Sequence, residues 1–288
     1  AIRLAVIALL AEEHILLEDI PGVGKTLMGK AIARSLAASF HRIQFTPDLL
    51  PSDITGSSLY NSRTGEFAFN AGPVFANIVL ADEINRATPR TQSALLESMS
   101  ERQVSADGQS HPLPRPFMVI ATENPVEFEG TYPLPESQLD RFLLRIPLGY
   151  PRREAELQVL RAHREGEPVD SLAAVLESGQ VVALQAAVRA VKVDDSINGY
   201  LLDIVEATRR SDELRLGVST RGALALYRAA QAAAVVAGRD YVVPDDVKRL
   251  AVPALAHRVI PKGYQHGGQR EVVETLIERL VEGVSVPR

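Results

Sequence analysis

Residues 15–27 read Ile15-Leu16-Leu17-Glu18-Asp19-Ile20-Pro21-Gly22-Val23-Gly24-Lys25-Thr26-Leu27. A short apolar run gives way to a glycine-bearing turn, and then Leu27, Met28, Ala31, Ile32 and Leu36 recur at three- and four-residue spacing. That order predicts a strand, a tight loop and a helix with one face on a sheet. Glycine lets backbone N–H groups converge on a β-phosphate, and the helix start adds the positive end of its dipole. Lys25 would reach the β- and γ-phosphates, the Thr26 hydroxyl would ligate Mg²⁺, and Pro21, Gly22, Val23, Gly24 and Leu27 would complete the cradle. One position departs from G-x-x-x-x-G-K-[ST], because Asp19 stands where the pattern has its first glycine. Aspartate tolerates turns, so the loop is expected to form, with an added anion that could weaken nucleotide binding. The competing reading is a chance Gly-rich turn, and the flanking strand and helix count against it.

Further along, Asn77-Ile78-Val79-Leu80-Ala81-Asp82-Glu83 is an apolar strand that ends in two acids. In an open α/β sheet such side chains emerge at the carboxyl edge, where ligands bind. Asp82 is suited to holding Mg²⁺ through its water shell and Glu83 to polarising an attacking water. The bland alternative is a strand followed by a solvated turn. A third strand, Phe117 to Thr122, leads into Glu123-Asn124-Pro125. The Asn124 amide there could bond both a γ-phosphate and the lytic water, although Asn before Pro is also a common turn opener.

Outward from these motifs, Ile15–Leu17, Arg42–Phe45, Ile78–Ala81, Phe117–Ala121 and Phe142–Ile146 alternate with helical patterns. Alternation of this kind predicts a parallel sheet flanked by helices. A helix is expected from Thr88 as N-cap, with Pro89 first and Leu95, Leu96 and Met99 as its apolar stripe. Two segments interrupt the frame and read as projecting hairpins. One spans Ser57 to Phe69 with Thr64-Gly65 near its turn, and the other Val104 to Leu113 around Asp107-Gly108. After Tyr150-Pro151 amphipathic helices follow one another: Ser178–Ala190, Asp194–Arg210, Ser219–Ala237 closed by Gly238, and one opened by Pro244. The expected organisation is an α/β domain over 1–150 and an all-helical domain over 151–288.

Composition limits the alternatives. The 288 residues carry a formal charge of −5 and 46% hydrophobic residues, typical of a soluble globular chain. The acidic balance argues against a nucleic-acid role. With no cysteine, disulfides, Cys-ligated zinc and thiol nucleophiles are excluded, which fits a cytoplasmic setting. The six histidines, at 14, 41, 111, 163, 257 and 266, show no metal-ligand spacing. The opening AIRLAVIALLA is apolar for only ten or so residues and contains Arg3, so a buried helix is expected rather than an export signal or a membrane span.

The order of the three motifs, with Glu136-Ser137-Gln138-Leu139-Asp140-Arg141-Phe142 and Gly217-Val218-Ser219-Thr220-Arg221 after them, resembles the AAA+ ATPases. The runs Leu16 to Thr26, Asp82-Glu83-Ile84-Asn85-Arg86-Ala87 and Ala121 to Pro125 are similar to the MoxR branch over nearly the whole chain. The resemblance implies ATP as substrate and Mg²⁺ as cofactor, and it accounts for both hairpins as inserts. It also implies that Asn124 is sensor 1, Arg141 an arginine finger and Arg221 the lid's sensor 2. Guanidinium suits these roles, since phosphoryl transfer spreads negative charge over the γ-oxygens. Arg141, placed far from its own cradle, would serve a neighbouring subunit, which implies a ring, expected to be a hexamer. Pairing of Arg141 with Asp140 or Glu136 is the plainer alternative, and Arg86 and Arg145 are weaker candidates for a charge acting across an interface.

By the same resemblance, the expected activity is chaperone-like remodelling of a partner protein with a von Willebrand factor A domain. A magnesium-chelatase-like motor subunit and a nucleotide-gated scaffold without turnover are the alternatives. A DNA motor is disfavoured because Val104 to Leu113 contains no Lys or Arg.

Overall fold

The computed structural model describes residues 1–19, 22–63, 65–124, 130–162, 167–263 and 270–287. In chain order the first half contains α1 (Ile2–Leu10), β1 (Ile15–Glu18), α2 (Lys25–Ser35), β2 (Phe40–Gln44), α3 (Pro51–Thr55), β3 (Gly56–Asn61), β4 (Glu66–Ala71) and β5 (Ile78–Asp82). There follow α4 (Pro89–Glu101), β6 (Gln103–Ala106), β7 (Gln109–Pro112), β8 (Met118–Glu123), α5 (Glu136–Leu139) and β9 (Leu144–Ile146). The remainder contains α6 (Arg153–Ala162), α7 (Ser178–Arg189), α8 (Asp195–Arg210), β10 (Leu214–Leu216), α9 (Thr220–Val236), α10 (Pro244–Leu255), β11 (Ile260–Pro261) and α11 (Arg270–Glu282).

The main sheet has the order β2-β5-β8-β1-β9, and β5 pairs parallel with β2 on one side and β8 on the other. Burial on both faces explains why most of β5 and of β8 are unbroken apolar runs. The register sets Gln44 opposite Asp82 and Ala81 opposite Ala121, so the ends of β2, β5 and β8 bring their polar residues to one edge.

Two compact units divide the chain. The first comprises Leu16–Pro133 with Pro147–Val182, and the second Ala1–Ile15, Leu134–Ile146 and Ala183–Arg288. These units are drawn differently from a cut at residue 150, since the first helix groups with the C-terminal helices and residues 147–182 group with the sheet. Within the first unit Ser35 accepts the backbone N–H groups of Val175 and Leu176 at 2.8 and 3.2 Å. Inside the second, α9 packs on α10 and α1, and its run of buried alanines permits close approach as well as favouring helix.

Both hairpins form. Asp107 and Gly108 take φ values of 51° and 74°, a turn whose twist matches the flanking strands. Thr64 lies outside the described residues. The hairpins are joined where the ring of Phe69 in β4 stacks on His111 in β7, centroids 3.9 Å apart. Phe67 remains 73% exposed beside Tyr60. Thr88 occupies the N-cap of α4 as expected, but its hydroxyl meets that of Thr91 at 3.2 Å and caps no backbone N–H. The helical second half also holds the two-stranded ladder of β10 and β11, too short to leave an alternating pattern in the sequence.

Candidate active site

The loop between β1 and α2 delivers Lys25 to the first turn of the helix. Gly24, the N-cap, sits at φ 91°, and Gly22 at φ 83°, conformations that other residues adopt only with strain. A Cβ added at either would meet no atom of the described residues within 4 Å. Among the described residues no side chain caps the N-terminus of α2, which leaves its dipole free for an anion. Pro21 lies outside the described residues. Thr26 is half-buried, Val23 likewise, and Leu27 exposed.

Lys25 is buried, and its ammonium donates to the Asp19 carbonyl at 2.7 Å. Burial pushes it down from the ordinary lysine value, against the opposing pull of Asp82, Asp19 and Glu83. Two of those three residues are the acids at the end of β5. Asp19 behaves differently from the free anion expected at this position. Its Oδ2 accepts the backbone N–H groups of Leu148 and Gly149 at 2.7 and 2.5 Å, so the carboxylate ties the loop to the chain beyond β9.

Asp82 is held from two sides. Thr122 donates its hydroxyl to Oδ1 at 2.6 Å, while Arg42 donates Nε and Nη2 to Oδ2 at 3.0 and 2.6 Å. Glu83 then leaves the strand through a left-handed residue, φ 57° and ψ 51°, which is costly for any side chain with a Cβ. Its backbone N–H donates to Thr122 Oγ1 at 2.8 Å, and its Oε2 accepts from Gln44 at 2.8 Å and Arg86 at 3.2 Å. Strain of this kind persists only where neighbours over-determine it, and here they hold the acid out from the sheet edge. Asn124 is buried directly after β8, while Pro125 lies outside the described residues.

Thus Lys25, Thr26, Asp82, Glu83 and Asn124 all belong to the first unit. Arg141 and Arg221 belong to the second. Arg141 is half-buried just after α5, whereas Arg221 is exposed in the first turn of α9, its Nη1 3.9 Å from Asp140 Oδ2. Asp140 thereby offsets the unfavourable dipole at that helix start. Arg86 is bound to Glu83 within the chain, and Arg145 lies in β9.

Arg42, Gln44 and Thr122 had no place in the sequence-based set. A signal for the last exists in the sequence, since Thr122 is a hydroxyl directly after the apolar run Met118–Ala121. Arg42 and Gln44 alternate with buried Ile43 on β2 and look like ordinary outward-facing residues until β5 is paired beside them. Among the described residues no group of three or more His, Asp or Glu could hold a metal by itself. His163 and His266 lie outside those residues. Among the described residues, no helix is long and apolar enough to cross a membrane.

Comparison with known proteins agrees with this fold. The signature of the ATPase family associated with various cellular activities (AAA) matches residues 14–144, and that of an AAA lid domain matches residues 206–280. The chain is 51% identical to the uncharacterized protein YeaC of Bacillus subtilis, over 99% of this chain and 88% of that protein. It is 42% identical to the chaperone MoxR1 of Mycobacterium tuberculosis, over 98% of this chain and 76% of the other. A crystal structure of a Cytophaga hutchinsonii protein superposes with a TM-score of 0.90 at 39% identity, covering 100% of this chain and 89% of that one. With an α/β core, a helical lid and full-length similarity of this order, the chain belongs to the MoxR family of AAA+ ATPases and is an ATP-hydrolysing, chaperone-like enzyme.

Proposed function

We propose that the chain works as a hexameric ring in the cytoplasm, where ATP hydrolysis remodels or assembles a partner protein that carries a von Willebrand factor A domain. Residues 1–150 bind and hydrolyse the nucleotide, and residues 151–288 act as its lid. The hydrolysis in this reading rests on one observation above all: the Thr122 hydroxyl joins the Asp82 carboxylate to the Glu83 backbone at the end of β5, while the buried Lys25 ammonium bonds the Asp19 carbonyl in the loop after β1.

In this reading the cradle from Pro21 to Leu27 wraps the phosphates, and Lys25 leaves the Asp19 carbonyl for the β- and γ-oxygens. The Thr26 hydroxyl and the Asp82 carboxylate are hard oxygen donors of the kind Mg²⁺ takes, so these residues would hold it. When bound, the ion neutralises charge on the β- and γ-oxygens. Glu83 takes a proton from the attacking water as the new P–O bond forms and the bond to the ADP oxygen breaks. Asn124 orients that water. Arg141 of one subunit and Arg221 of the lid stabilise charge on the transferred group.

The Glu83→Gln variant removes the base and retains the cradle, so it traps the ATP state. Incubated with source lysate, it should capture a von Willebrand factor A protein in ATP and release it in ADP, as read by mass spectrometry. Capture that ignores the nucleotide, or no such protein among those held, overturns the remodelling proposal.

A further inference from the structure

Arg258 is an unusual residue for the protein interior. It ends the 3-10 turn Ala256–Arg258 that follows α10, and its side chain is only 2% exposed. Burying a guanidinium is costly unless its donors are all met, so the partners it has chosen carry information. Nε donates to Asp140 Oδ1 at 2.7 Å. Nη2 reaches the Asp140 carbonyl at 3.2 Å and the Phe142 carbonyl at 2.7 Å. Nη1 reaches the Leu143 carbonyl at 3.1 Å and also the Ala254 carbonyl. All five N–H groups are therefore placed, and most of them grip residues 140–143.

Arg141 stands at the middle of that grip. The carbonyls of Asp140 and Phe142, one residue on either side of it, both accept from the same nitrogen. The clamp is reinforced by His257, whose Nε2 lies 2.9 Å from the Phe142 carbonyl. Room for the Arg258 stem is made by Gly222, next to Arg221 in α9, where a Cβ would come within 2.9 Å of Arg258 Cδ and 2.7 Å of Val218 Cγ1. Asp140 takes Arg258 on one oxygen and faces Arg221 from the other. Every one of these residues belongs to the second unit.

The geometry points to Arg258 as the positioning residue of Arg141: its guanidinium fixes the backbone on both sides of that arginine. This inference rests on the reading of Arg141 as an arginine finger. A finger acts only when its guanidinium meets the transferred phosphoryl group in the right place, and misplacement by about 1 Å costs on the order of a hundredfold. Lysine cannot substitute, because three donors on a flexible stem cannot span the carbonyls that the planar fork spans.

Steady-state ATPase assays on the full-length assembled protein test this with Arg141→Ala, Arg258→Lys, Gly222→Ala and the double variant Arg141→Ala/Arg258→Lys. Arg258→Lys and Gly222→Ala should each lower kcat by about tenfold or more, with KM for ATP and the oligomeric state unchanged. In the Arg141→Ala background, Arg258→Lys should lower kcat no further, because the residue it positions is gone. Unchanged kcat in Arg141→Ala overturns the finger reading and this inference with it. A slow Arg141→Ala beside a folded Arg258→Lys of wild-type kcat overturns the positioning role alone, as do additive effects in the double variant. If neither Arg258→Lys nor Gly222→Ala folds, Arg258 is a stability residue and the inference fails.

Discussion

Thr122 donates its hydroxyl to Asp82 at 2.6 Å while accepting the backbone N–H of Glu83 at 2.8 Å, so one buried side chain holds the carboxylate of the first acid and the backbone of the second. Thr122→Val keeps the shape and removes the hydroxyl. It leaves a buried carboxylate oxygen and a backbone N–H without this partner, a loss of about 1–3 kcal/mol. The expected outcome is a lowered melting temperature and a kcat for ATP hydrolysis reduced by about tenfold or more, since Glu83 is no longer held in its left-handed turn. Thr122→Ser should recover most of both. Thermal melts and phosphate-release assays decide it, and wild-type kcat in Thr122→Val contradicts the role given to this hydroxyl.

Asp19 gives a second expectation, opposite to what the P-loop pattern alone suggests. Restoring the pattern's glycine by Asp19→Gly removes the acceptor for the N–H groups of Leu148 and Gly149. Hydrogen bonds to a charged acceptor are stronger than neutral ones, so the variant should be less stable by about 1–3 kcal/mol. Asp19→Asn, which retains an oxygen, should lie between it and wild type. Chemical denaturation measures this, and a more stable glycine variant would show that the carboxylate is a liability rather than a tie.

His257 should make stability depend on pH. Burial, and after it the neighbouring Arg258 guanidinium, holds the imidazole well below its ordinary value of 6.5, with Arg145 adding to the effect and the Phe142 carbonyl opposing it. The unfolded chain therefore takes up the proton first as pH falls. The stability linked to this group is complete above about pH 6.5 and declines below it, at no more than about 1.4 kcal/mol per pH unit. Melting temperatures recorded between about pH 7.5 and 5.5 should fall towards acid, and His257→Gln should flatten the slope. An equally steep slope in the variant assigns the effect to other groups.

Much of this site could be read from local spacing. Lys25 and Thr26 follow a glycine turn at the mouth of a helix, and Asp82 and Glu83 terminate an apolar run, so chain order alone places them at one sheet edge. Arg42 and Gln44 escaped notice because their contacts exist only once β2 lies beside β5. The pairing of Asp140 with Arg258 is more remote still, 118 residues apart with no periodic pattern to announce it. Asp19 was legible as a departure from a motif, but not what it does, since its partners are backbone N–H groups 129 and 130 residues away. Sequence reveals such positions as anomalies of residue type, while the fold supplies the partners that explain them.

The division of labour between Lys25 and Glu83 is the centre of the account, and one comparison tests it most directly. ATP affinity and phosphate release should be measured side by side for wild type, Lys25→Ala and Glu83→Gln under conditions that assemble the protein. The account predicts that Glu83→Gln binds ATP within a few-fold of wild type yet releases phosphate at least about a hundredfold more slowly, whereas Lys25→Ala loses binding itself. Phosphate release at the wild-type rate from Glu83→Gln would contradict it.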